Sequence, residues 1–150
     1  MGVSEVAGFL RRHRSIALDT SSFIYQIQAH PTYVALTNAV FVWIEEPHHQ
    51  AFTSTITMTE LLVHGYREED QRKVDIFYSL LSRYPNLHWI PPDLKTADTA
   101  ARMRAMYSLR TPDAIQAATA LRSGATGLVT NDPVLARVEG VETAVLDRYL

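Results

Sequence analysis

Residues 109–132, LRTPDAIQAATALRSGATGLVTND, constrain the chain more than any other stretch. They join a helix with clear start and stop signals, a short apolar strand and the opening of a further helix. Thr111 suits an N-cap, and Pro112 suits the first helical position, where a missing N–H costs nothing. Gly124 stands where a helix end favours positive φ. Leu128-Val129-Thr130, after Gly127, reads as a buried strand. Asn131-Asp132-Pro133 then opens the next helix, with Asp132 as cap and Pro133 at the first position. Asp113 and Asp132 thus stand at two helix N-termini.

At 150 residues the chain reads as one domain over residues 1–150, long enough to build a core. Apolar residues make up 47% and charged residues 20%, the usual balance of a soluble globular protein. With 14 Lys and Arg against 16 Asp and Glu, the net charge of −2 announces no bulk attraction to nucleic acid, although a basic patch on one face is compatible with it. The absence of cysteine excludes disulfides and thiolate metal sites. Arg11, Arg12 and Arg14 interrupt the N-terminal stretch, so it has no signal-peptide core. No run approaches the roughly 18 apolar residues of a membrane span. The expectation is a soluble, cytoplasmic domain with no membrane partner.

Read in order, residues 4–12 form a short helix or stay loose. Ile16-Ala17-Leu18 ends at Asp19 and reads as a strand, followed by the capping cluster Thr20-Ser21-Ser22 and a helix with Phe23, Ile24 and Ile27 on one side. Pro31 restarts the chain into a helix over about residues 32–45. Residues 51–55 are β-prone. Thr57-Met58-Thr59-Glu60 has the form of a capping box, with Glu60 reaching back to Thr57. Residues 65–71 read as a mobile polar bend, residues 73–83 as a helix, 87–90 as a third strand, 96–109 as another helix and 143–146 as a final strand. Short apolar strands alternating with helices imply a mostly parallel sheet covered on both faces, a three-layer α/β/α architecture. Right-handed crossovers then bring the strand C-terminal ends to one rim, and with them Asp19, Glu60 and Asp132. Asp113 follows a helix, so strand logic alone does not bring it there.

Each acid taken singly is explained by capping or by the helix dipole. Taken together they differ, because several carboxylates at one edge repel one another unless a cation neutralises them. Mg²⁺ and Mn²⁺ accept such oxygen ligands and keep several waters. That leaves room for a phosphate oxygen and an attacking water, as phosphodiester hydrolysis requires.

Four stretches carry a family resemblance: LDTSSFIY at 18–25, TSTITMTELLVHG at 53–65, LRTPDAIQAATAL at 109–121 and GLVTNDPVLARV at 127–138. In this order and spacing the chain resembles a PIN-domain ribonuclease, and more narrowly a VapC-type toxin of a toxin–antitoxin pair. The resemblance implies a PIN-like fold and a Mg²⁺- or Mn²⁺-dependent endoribonuclease that leaves a 3′-hydroxyl and a 5′-phosphate. Asp19, Glu60, Asp113 and Asp132 match the family's acidic quartet, and it is the family that places Asp113 in the cluster. Ser21 matches the small polar residue two after the first acid, and Thr130 the hydroxyl before the last. The implied partners are a structured RNA of the tRNA or rRNA class, a VapB-type antitoxin and a second copy of the chain in a homodimer.

Arg102, Arg104 and Arg110 precede Asp113 and are candidates for RNA phosphate contacts, with a solvated helix face as the alternative. His48-His49 reads as a solvated turn rather than a metal pair, because adjacent residues rarely converge on one ion. His64 lies one turn after Glu60, at the surface or near the site. Met103, Met106, Trp43 and Trp89 read as packing. Two other functions stay open: a housekeeping PIN nuclease without an antitoxin, and a PIN-like binding module whose acids only cap helices. A receiver-type or phosphohydrolase site is disfavoured, since Asp19 lacks a second aspartate two residues on.

Overall fold

A computed structural model describes residues 2–150 and lays five parallel strands in the order β3-β2-β1-β4-β5. The strands are β1 (Ser15–Leu18), β2 (Gln50–Ser54), β3 (Leu87–Ile90), β4 (Gly127–Thr130) and β5 (Glu142–Val145). Each is only four or five residues long, and the central β1 and β4 are buried almost throughout, as expected of strands covered on both faces. Seven α-helices cover the sheet among the described residues: α1 (Gly2–Arg11), α2 (Thr20–Ile27), α3 (Val34–Glu45), α4 (Thr55–Arg67), α5 (Gln71–Ser82), α6 (Leu94–Tyr107) and α7 (Thr111–Ser123).

Alternation along the strands divides the interior in two. Ile16 and Leu18 of β1, with Val129 of β4, face a core closed by Phe9 of α1, Phe23 of α2, Val40 and Ile44 of α3, Leu61 of α4 and Leu81 of α5. Ala17 and Leu128 face the other way, onto α6 and α7. On that side Ala114, Ala117, Ala118 and Ala120 are fully buried, and their small side chains let α7 lie close against the sheet. The result is the three-layer α/β/α arrangement that the strand–helix alternation implies.

The strand order reverses between β1 and β4, which are neighbours although far apart in sequence. Such a switch point leaves a crevice beyond the strand C-termini, where the flanking connections diverge to opposite faces. Asp19 follows β1 there, and Asp132 follows β4 by two residues.

Local signals placed most elements, with instructive exceptions. Helix α1 is formed rather than loose, because Val6, Phe9 and Leu10 are buried against the core. The capping box at Thr57 is not used. Helix α4 begins earlier, with Ser54 as N-cap accepting from the backbone N–H of Ile56. Thr57 is thereby an interior helical residue, free to bond elsewhere. Residues 65–71 are no mobile bend either. Helix α4 continues to Arg67, the chain reverses over three residues, and Asp70 caps α5 by accepting from the N–H of Lys73. Thr111 is already helical, one residue past the N-cap position held by Arg110. Gly124 does end α7 with φ +78. The helix opened by Asp132 is a single 3-10 turn, Pro133–Arg137.

Candidate active site

Asp19 anchors the crevice. Its Oδ1 caps α2, accepting from the N–H of Ser21 at 3.2 Å and from Ser21 Oγ at 2.6 Å. Its Oδ2 accepts from Thr130 Oγ1, the last residue of β4. Thr130 Oγ1 in turn accepts from the N–H of Asp132 at 3.0 Å, so one hydroxyl ties the first acid to the last. Asp132 caps the 3-10 turn through the N–H of Val134. Asp19 is only 8% exposed. Burial pushes its carboxyl up to about 6; the hydroxyls of Ser21 and Thr130 and the Ser21 N–H pull it back, and the charge of Asp113 adds to the rise.

Glu60 is exposed on the second turn of α4, with Oε1 accepting from Thr20 Oγ1 at 2.9 Å. It acts as no cap; Thr20, at the start of α2, orients it instead. Asp113, on the first turn of α7, receives Arg110 Nε on Oδ2 at 3.3 Å. Its position is set one turn further on. Gln116 Nε2 donates to Thr57 Oγ1 at 2.8 Å, Thr57 lies 2.7 Å from Thr53 Oγ1, and Thr53 donates to the carbonyl of Leu18. This buried chain of side chains pins α7 to α4, β2 and β1, and it accounts for Asp113 reaching a rim that strand order alone does not give it. Buried polar groups left unpaired are costly, so such a network holds its members in one geometry.

All four acids line one open cavity of about 420 Å³, together with Ser21, Arg110 and Gln116. Arg110 is the one basic side chain of that lining among the described residues. Arg102 and Arg104 lie outside it. Arg102 is 3.9 Å from Asp98 on the exposed face of α6, while Arg104 Nε donates to the carbonyl of Leu109 and secures the α6–α7 connection. His49 stacks on Trp43 and lies 2.6 Å from its carbonyl, away from the acids. Met103 is buried, whereas Met106 is 55% exposed.

The sequence reads Thr20 and Thr57 as capping residues and Asn131 as part of a helix opening, and gives none of them, nor Thr53 or Gln116, a part in positioning the acids. Gln116 carried a readable signal, as the lone amide on an alanine-rich face. Asn131 is a second tether: its Nδ2 donates to the Tyr25 hydroxyl and its Oδ1 accepts from the N–H of Asp147.

The PIN domain family matches residues 16–141, the span that contains every one of these acids. The chain belongs to the PIN-domain family. Solved structures share the fold: DNA-bound VapBC from Salmonella typhimurium has a TM-score of 0.67 at 20% identity, covering 87% of this chain and 96% of that one. Mycobacterium tuberculosis VapC20, a sarcin–ricin loop cleaving toxin, has 0.64 at 18% identity, covering 85% and 97%. VapBC2 from Rickettsia felis, bound to a promoter DNA fragment, has 0.63 at 22% identity, covering 87% and 97%. At these identities the likeness is one of fold. A search of curated proteins finds no match to the chain.

The donors of this PIN domain's cavity are oxygens of carboxylates, hydroxyls and amides, a set suited to a hard divalent cation. Among the described residues no three of His, Asp or Glu converge into a ready-made metal cage. The oxygen donors present fit an ion that takes one or two carboxylates and keeps several waters.

Proposed function

We propose that this PIN domain is a metal-dependent endoribonuclease, the toxin of a VapBC-type toxin–antitoxin pair. The observation that carries the reading is Asp19, a buried carboxylate held only by neutral donors while three further acids share its cavity. Such a site is electrostatically incomplete, and a divalent cation completes it. Asp19 and Asp113 would hold Mg²⁺ or Mn²⁺, with Glu60 and Asp132 beside them. When bound, such an ion supplies a Lewis acid for the phosphate and lowers the pKa of an attacking water.

The chain's own residues do the rest. Glu60, held by Thr20, orients the water and takes its proton. The water oxygen bonds to phosphorus as the bond to the 3′-oxygen breaks. That oxygen leaves with a proton from solvent, giving a 3′-hydroxyl and a 5′-phosphate. Ser21 and Thr130 keep Asp19 aimed and its charged form available. Arg110, at the rim, meets the phosphate of a polyanion that an acidic cavity would otherwise repel. The reading takes a structured RNA of the tRNA or rRNA class as substrate, a homodimer and a cytoplasmic site of action, with a VapB-type antitoxin partner supported by the VapBC structures of like fold.

Cleavage of total tRNA and rRNA by the purified protein, with Mn²⁺ or Mg²⁺ against chelator, tests the proposal. Metal-dependent cuts that vanish in Asp113→Asn are expected; equal cutting by both proteins would overturn the site assignment. A second reading has an observation of its own: Asp19 and Asp132 do cap helical segments, as the acids of a pure binding module would. RNA binding without cleavage in any metal would favour it. A short reading frame beside the gene separates a toxin from a housekeeping nuclease of the same mechanism.

A further inference from the structure

A second cavity, of about 310 Å³, opens beside the acidic one and shares Ile24 and Glu60 with it. It lies between α2, α4 and α5. Leu61 is buried at its floor, and half-buried Ile27 and Phe77 form apolar walls. The rim is polar. Gln28, at the C-cap of α2, and His64, one turn after Glu60, are exposed there. Lys73 Nζ stands 3.3 Å from Glu68 and 6.0 Å from the Phe77 ring centroid.

We infer that this cavity receives one unstacked nucleobase of the RNA whose neighbouring phosphate lies at the acidic site, and so selects the nucleotide beside the cut. The inference rests on the nuclease reading above. Three observations favour this occupant. The cavity is small for a ligand site, with room for a single planar ring system rather than a partner's helix. Its walls are apolar and include one aromatic ring, suited to the face of a base, while the Gln28 amide and the His64 imidazole both donate and accept, as reading a base edge requires. Lys73, shared with Glu68, sets an ammonium at the mouth, where an adjoining backbone phosphate would pass and compete for it. A wholly apolar anchor from a protein partner would desolvate those rim groups without pairing them.

The first test is titration of the four nucleoside 5′-monophosphates, at millimolar concentration, into methyl-labelled protein. The Ile27 and Leu61 methyl resonances should shift and saturate, with one base binding several-fold better than the others. Gln28→Ala, an exposed change that leaves the core alone, should reduce that preference, and Phe77→Leu should weaken binding about ten-fold. In cleavage of oligoribonucleotides that differ at the nucleotide beside the cut, both variants should still cut RNA but lose about ten-fold of the wild-type discrimination. Unmoved Ile27 and Leu61 resonances would overturn the inference. So would unchanged discrimination in both variants, which leaves the nuclease reading standing. Nucleotide binding at these methyls with no cleavage of any RNA would keep the pocket and sink the nuclease. Shifts caused only by an antitoxin peptide would make the cavity a protein-docking site and overturn its assignment to RNA.

Discussion

The two ends of the parallel sheet treat a carboxylate in opposite ways. At the N-terminal end, Glu142 opens β5 and faces two partners: the Arg12 guanidinium, whose Nε donates to it at 3.1 Å, and the His13 imidazole, whose Nε2 lies 2.8 Å from it. The Arg12 hydrogen bonds hold the Glu142 carboxyl below its ordinary range. His13 is buried, its Nδ1 2.8 Å from Thr126 Oγ1 and its ring tilted on Phe9. Gly127 makes the close packing there possible, because a Cβ at that position would come within 2.9 Å of Phe9. At the C-terminal end Asp19 has two hydroxyls and a backbone N–H, no cation, and a carboxyl pushed up to about 6 by burial. One end is a finished latch that fastens α1 to the sheet. The other carries a standing electrostatic cost, and costs of that kind concentrate where a site awaits a ligand.

The largest expected break between the two ends is in activity. Asp19→Asn and Asp113→Asn should each lower RNA cleavage on the order of 100-fold or more, because each removes charge stabilisation worth several kcal/mol. Glu142→Gln should leave the rate near wild type. Initial cleavage rates under one metal concentration compare them directly.

Next in size is an inversion in stability. The folded-state value of Asp19, about 6, lies above its ordinary 3.8, so ionisation opposes folding. The penalty is absent below about pH 3.8, grows as pH rises, and is complete above about pH 6. Without metal, Asp19→Asn should therefore be more stable than wild type at pH 7.5, by at most about 3 kcal/mol. Asparagine caps as well as aspartate, so the helix start is not lost. The difference should fade by pH 4 in urea unfolding; a variant less stable at pH 7.5 would contradict the burial argument.

Divalent ions should cancel that advantage. At a hundred times its dissociation constant, Mn²⁺ stabilises the wild type by about 2.7 kcal/mol. Asp19→Asn and Asp113→Asn should show little of this, which thermal melts with and without Mn²⁺ would reveal. A similar gain in all three proteins would place the ion elsewhere.

The smallest effect belongs to the latch. Glu142 has a lowered carboxyl, so its contribution is present above its ordinary value of 4.5 and disappears as pH falls through the folded value. The pair with Arg12 is well exposed and screened, and Glu142→Gln should cost less than about 1 kcal/mol at pH 7. It should also flatten the loss of stability on acidification between pH 5 and pH 3. An unchanged acid profile would mean that Glu142 bears no part of it.

Much of this was legible before any coordinates. Asp19 and Asp132 announced themselves by following short apolar strands and preceding helix starts, and both do cap. Gly124 marked its helix end correctly. The misreadings share one cause. Thr57 and Glu60 have the spacing of a capping box, but the strand ending at Ser54 delivers the chain to the helix three residues earlier. Residues 65–71 look like solvated loop, yet Leu61 and Val74 are buried on either side of the reversal. Polar composition hid a tight helical hairpin because burial depends on neighbours distant in sequence.

Sequence alone determined the alternation of strands and helices, the caps at Asp19 and Asp132, and the acids at the element ends, since these depend on residues a few positions apart. Tertiary structure decided what those acids become. The β1–β4 pairing brings Thr130 onto Asp19, and the Gln116–Thr57–Thr53 chain carries Asp113 to a rim that its own position does not predict. The latch of Arg12 and His13 on Glu142 spans about the whole chain and left no local mark. Burial and hydrogen-bond partnership are properties of the packed molecule. They separate the Glu142 carboxylate, paired with a guanidinium, from the Asp19 carboxylate, buried among neutral donors.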